Sequence, residues 1–107
     1  MNGRKITLHD AARDGHPRTV VRLLREGAGL DEPDAQGWTA LMIASVQGKV
    51  AMVEHLLRLG ASPNARTPDG KTALYFAAWS GEVSVLEALQ AGGAETAFDA
   101  EDALRAA

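Results

Sequence analysis

The sequence predicts an all-α fold, a solenoid of stacked helix-turn-helix units joined by extended loops, and three observations predict it. First, the chain repeats every 33 residues: Gly15, Gly48 and Gly81 fall in register, as do Leu8, Leu41 and Leu74, and the Gly-Ala pairs at 27–28, 60–61 and 93–94. Fixed periods of about 20 to 50 residues mark architectures that stack one small unit on itself. Second, each period holds two apolar runs with helical spacing, not the alternation of a strand. Third, a glycine follows each run, where a helix ends. The middle unit, 34–66, has a neighbouring unit on each side and is the one fully sandwiched, so Ile43, Val53, Leu56 and Leu57 are expected to be the most buried residues.

The first unit, about 4–33, opens with RKITLHDAA, where Ile6, Leu8, Ala11 and Ala12 are spaced for a short helix with small residues on one side. Gly15 ends it, because glycine readily takes the left-handed conformation at a helix C-terminus. Pro17 suits the first turn of a second helix, where its missing N–H costs nothing. Val20, Val21, Leu23 and Leu24 form that helix's apolar stripe, Arg22 and Arg25 lie toward solvent, and Gly27 stops it. The next stretch, AGLDEPDAQGW, has no helical period and is rich in Gly, Asp and Pro, so it is an extended loop with a turn at its tip.

In the middle unit Thr39 precedes an apolar run, and its hydroxyl can accept a hydrogen bond from the first helical turn. Leu41, Ile43, Ala44 and Val46 form the first helix, and Val50, Met52, Val53, Leu56, Leu57 and Leu59 the second, with Gly48 between them. The third unit, about 67–94, repeats this with Thr72, then Leu74, Phe76, Ala77 and Ala78, then Val83, Val85, Leu86 and Leu89. Beyond it, Ala100, Ala103, Leu104 and Ala107 lie at i, i+3, i+4 and i+7, which predicts a capping helix at about 96–106 with Phe98 filling the gap beneath it. Capping is needed because the outermost faces of a stack must meet water. Asp10 serves this purpose at the other end, where the later units carry Ile43 and Phe76.

Composition narrows the function. A chain of 107 residues, 46% hydrophobic and 23% charged, fits one small domain. A net charge of −3 gives no electrostatic reason to expect nucleic acid or an anionic membrane, both of which require clustered Lys and Arg. The absence of cysteine excludes disulfides, thiolate metal sites and cysteine nucleophiles. No segment approaches the roughly 20 apolar residues needed to span a bilayer, and the first residues lack the apolar core of a secretory signal, so a cytoplasmic location is expected.

The segments GWTALMIASVQGKVAMVEHLLRLGASPNAR and GKTALYFAAWSGEVSVLEALQAGGA resemble ankyrin repeats, through linked Gly-x-Thr, Leu, Ala-Ala, Gly, Leu-Leu and Gly-Ala positions. The chain departs from the family where Ala40 and Ala73 replace its proline and Met42 and Tyr75 its histidine, so the usual Thr-to-His side-chain hydrogen bond is lost there. Only the first unit keeps the histidine, as His9, with Ile6 in the threonine position. The resemblance implies an ankyrin-repeat solenoid that binds a partner protein through its turn tips and the concave face of its first helices.

The family's variable positions fall on Arg13 and Asp14 in the first unit, on Ala35, Gln36, Trp38, Val46 and Gln47 in the second, and on Pro68, Asp69, Lys71, Trp79 and Ser80 in the third. Both tryptophans of the chain are in this set, and Met42 and Tyr75 stand beside them. Tryptophan and tyrosine are enriched in binding hot spots, so the partner-binding centre is expected at Trp38, Met42, Val46, Tyr75 and Trp79. The opposing expectation is that each tryptophan folds back over its own repeat and adds stability.

His9, His16 and His55 lie at different repeat positions, and no nucleophile-base pair, metal-ligand spacing or phosphate loop is visible, so no catalytic residue, metal or cofactor is expected. The expected function is a non-catalytic, monomeric protein-binding module. The alternative is a self-associating unit that dimerises through its C-terminal cap or aromatic face.

Overall fold

A computed structural model describes residues 6–94. Its helices, among the described residues, are α1 (Leu8–Asp14), α2 (Pro17–Arg25), α3 (Ala40–Val46), α4 (Val50–Arg58), α5 (Ala73–Ser80) and α6 (Val83–Ala91). The first helices α1, α3 and α5 stack in one layer, each packed on the second helix of its own unit, and α4 packs on α6 in the other layer. None of these helices is long and apolar enough to cross a membrane. The expected capping helix at 96–106, with Phe98, lies outside the described residues.

Helix α1 begins one position later than its counterparts. Thr7, not the residue in register with Thr39, is its N-cap: the Asp10 N–H donates to the Thr7 hydroxyl at 3.2 Å, and the Thr7 N–H donates to the Asp10 carboxylate at 3.0 Å. This reciprocal box satisfies two donors that a helix start leaves unpaired. It also leaves Ile6 outside the helix and 55% exposed, which corrects its placement on the apolar side. Asp10 further accepts from Arg13 at 3.0 Å, so the polar residue of the end face is also the one that starts the helix.

Helix α3 solves the same problem with a thioether. The Met42 N–H donates to the Thr39 hydroxyl and the Thr39 N–H to Met42 Sδ, both at 3.3 Å. In α5 the equivalent Thr72 makes no side-chain cap, and Tyr75 at the third helical position, with its polar group at the far end of a ring, cannot return a bond to the Thr72 N–H.

The core runs unbroken through the units, with Ala12, Val20, Leu41, Ala44, Val53, Leu56, Ala77, Val85 and Leu89 at most 1% exposed. Ile43 is buried as expected, but Leu57 is only half-buried. Its side chain lies at the edge of the stack, where a Cβ added to Gly92 would meet Leu57 Cδ1 at 2.7 Å.

The turn tips are hydrogen-bonded frames. In the second unit the Gly37 N–H donates to the Asp34 carbonyl at 2.9 Å, while Asp34 Oδ1 accepts from the Gln36 and Trp38 N–H groups. In the third, the Thr67 N–H donates to the Lys71 carbonyl, the Lys71 N–H donates back to the Thr67 hydroxyl, and the Gly70 N–H closes the tip on the Thr67 carbonyl. Successive loops are tied together by the Ser62 N–H to Asp31 bond at 2.8 Å and the Asn64 Nδ2–H to Gly93 carbonyl bond at 3.2 Å.

Candidate aromatic groove

The two turn frames, the end of α3 and α5 border an open groove of about 390 Å³. Trp38, Val46 and Phe76 supply its apolar lining, and Asp69, Lys71, Tyr75 and Trp79 complete it. Trp38 reaches it because Asp34 clamps its backbone N–H at 3.0 Å, and Lys71 because its N–H donates to the Thr67 hydroxyl at 2.9 Å. Thus two loops 33 residues apart in register deliver one ring and one cation to the same place.

Trp38 and Trp79 differ in what they do there. The Trp38 ring is half-buried and packs on Phe76 of the next unit with centroids 4.2 Å apart, so it bridges two repeats instead of covering its own. Trp79 is 72% exposed. Its indole N–H donates to the Tyr75 hydroxyl at 3.0 Å, one helical turn away, and Tyr75 stands edge-on to Phe76 at 5.3 Å. The Lys71 ammonium lies 5.1 Å from the centre of the Tyr75 ring, within cation–π range.

The rim is a local ion pair. Lys71 Nζ donates to Asp69 Oδ2 at 2.7 Å, and the Thr67 hydroxyl donates to Asp69 Oδ1. The Lys71 hydrogen bond, followed by that of Thr67, lowers the Asp69 carboxyl from 3.8 to about 2, and the same pair raises Lys71 above its ordinary value. The groove is therefore electrically balanced within itself.

The structure brings Trp38, Val46, Asp69, Lys71, Tyr75 and Trp79 together. Met42 does not join them. It is 1% exposed, covered by the helices on both sides of α3, and its sulfur is engaged by Thr39, so its expected role as a partner contact is corrected to a core and capping role. Gln36 and Gln47 are exposed but do not line the groove. Arg13 is exposed and paired with Asp10, while Asp14 borders a separate cleft with Lys49 between the first and second units. Ser80 is turned into local structure, donating to the Ala77 carbonyl at 2.7 Å and accepting from the Glu82 N–H. Phe76 is the groove residue that the pattern of variable positions missed. Its register with Asp10 and Ile43, a position that is polar in the first unit and apolar in the two units that have one before them, is the signal that places it under Trp38.

The histidines are dispersed. His9 Nε2 lies 2.7 Å from the Glu32 carbonyl and donates to it, binding α1 to its own loop. His16 precedes α2 without a side-chain cap bond, and His55 sits in the second-helix layer.

A family model described as ankyrin repeats, three copies, matches residues 8–99. A search of curated proteins gives no match.

Proposed function

This chain belongs to the ankyrin-repeat family, and from that premise we propose that it is a non-catalytic module that binds a partner protein through the aromatic groove. Members of the family are generally protein-protein interaction modules and generally non-catalytic. The observation that carries the proposal is Trp79: a large aromatic ring, 72% exposed, at the mouth of an apolar groove and already fixed by its bond to Tyr75. Tryptophan and tyrosine dominate binding hot spots, and an anchor held in place before contact loses less freedom on binding. Phe76 and Val46 would receive an apolar side chain of the partner, and the Asp69–Lys71 pair would orient its polar neighbours.

The test uses the two indole N–H signals in a nuclear magnetic resonance spectrum, titrated with a partner isolated on the immobilised chain. The Trp79 signal is expected to shift more than that of Trp38, whose ring is already packed on Phe76. A partner that leaves the Trp79 signal in place overturns the assignment. Light scattering over a concentration series tests the competing occupant, a second copy of this chain: dimerisation lost in Trp79→Ala would give the groove to self-association.

A further inference from the structure

The second-helix layer, away from the aromatic groove, gathers positive charge in a chain whose net charge is −3. Arg18, Arg22 and Arg25 stand at i, i+4 and i+7 on α2, a spacing that aligns them along one helix face. Helix α2 makes only sparse contact with α4, whereas α4 packs closely on α6. Between α2 and α4 an open cleft of about 430 Å³ remains, lined by those three arginines, Pro17, Val21 and His55. Val21 is half-buried and the arginines are exposed, so the cleft has an apolar base and a cationic rim.

Little in the described chain neutralises that rim. Arg22 pairs with Glu26 at 3.3 Å, but both side chains are 57% exposed, and water screens such a pair strongly. Arg18 and Arg25 have no ion pair or hydrogen bond among the described residues. On α4, Arg58 stands at the position that Arg25 holds on α2, with Glu54 opposite in charge on the same helix, so the positive charge is concentrated on α2. A second, independent feature lies in the same cleft: His55 Nε2 is buried and has no hydrogen-bond partner among the described residues. Buried polar atoms are ordinarily paired, so the His55 ring, which borders the cleft, is free to turn toward a ligand there.

We propose that the cleft between α2 and α4 is a second binding site, for an acidic segment of a partner protein. A carboxylate of that segment sits among the arginines, while an adjacent apolar side chain rests on Pro17 and Val21. Guanidinium groups match carboxylates in charge and in planar fork geometry. A nucleic acid fits less well: the three arginines span roughly 10 Å of helix, too short to follow many phosphates, and the apolar base has no counterpart on a sugar-phosphate backbone.

The test is fluorescence anisotropy at low ionic strength with the full chain and a fluorescein-labelled peptide, Glu-Glu-Leu-Glu-Glu-Leu-Glu. The peptide is expected to bind wild type and Trp79→Ala equally, and to lose about tenfold or more in affinity for the Arg18→Gln, Arg25→Gln double variant, in keeping with the strength of hydrogen bonds to charged groups. The Gln-for-Glu peptide should lose as much. Both arginines are exposed, and circular dichroism checks that helicity is retained; the two single variants carry the test if the double variant loses it. Failure of the acidic peptide to bind wild type, or equal binding to the arginine variants, overturns the proposal. Tighter binding of a short DNA duplex or of phosphatidylserine vesicles than of the peptide would assign the cleft to another anion and overturns it equally.

Discussion

Asp69 is an exposed turn-tip carboxylate, yet hydrogen bonds from Lys71 and Thr67 hold it at about 2. Because this folded value lies below the ordinary 3.8, the group contributes stability above about pH 4 that is lost as the pH falls through about 2. Lys71 is raised above 10.5, so its contribution is present below that value and is lost as the pH rises through its folded value. The Asp69–Lys71 rim is thus intact across the whole neutral range. Carboxyl titration by nuclear magnetic resonance checks the cause: in Lys71→Met the Asp69 value should rise toward 3.8, and an unchanged value would mean that Lys71 is not what lowers it. Single residues are also where the sequence was least legible. Met42 replaces the family's histidine beside the variable positions, and only the closeness of α1 and α5 to α3 makes it a core residue. Trp38 was equally ambiguous, since its choice between solvent and the stack depends on Phe76 in another unit.

At the scale of elements, the loops are packed against one another more tightly than their composition shows. Gly37 has φ +86°, and a Cβ there would lie 2.3 Å from Pro68 Cδ in the next turn. Gly70, its counterpart, has φ +85° but nothing within 4 Å of an added Cβ. Both substitutions to alanine strain the backbone, and the first also drives a methyl into a rigid ring. Gly37→Ala is therefore expected to destabilise by more than about 1 kcal/mol and by more than Gly70→Ala, as read from urea denaturation. Equal losses would show that the two tips do not bear on each other. Helices α3 to α6 were readable from apolar spacing and glycine stops. The start of α1 was not, because the family register drew attention to Ile6 and away from the Thr7–Asp10 box. The cleft between α2 and α4 was also hidden: the arginine spacing is visible in the sequence, but the opening between the helices is a product of packing.

For the whole molecule, the 33-residue period predicted an unbroken core, and the core is a single cluster spanning all three units. Stability in such stacks is carried by the contacts between neighbouring units. Leu56, fully buried between them, should cost about 2 to 5 kcal/mol when cut to alanine, whereas Val83, 64% exposed, should change stability by no more than about 0.5 kcal/mol. Comparable losses at both positions, measured by chemical denaturation, would contradict a core centred on the middle unit. Met42, Leu56 and Trp38 are packed between units, whereas Tyr75 and Trp79 remain exposed, which is why the proposed binding surface can be tested apart from folding. The most direct measurement is the dissociation constant of a purified partner for wild type and for Trp79→Ala. Removal of the exposed ring should weaken binding by about 30-fold or more, about 2 kcal/mol, with the helical signal and unfolding midpoint retained. An unchanged dissociation constant in a folded Trp79→Ala chain would contradict the aromatic groove as the binding site.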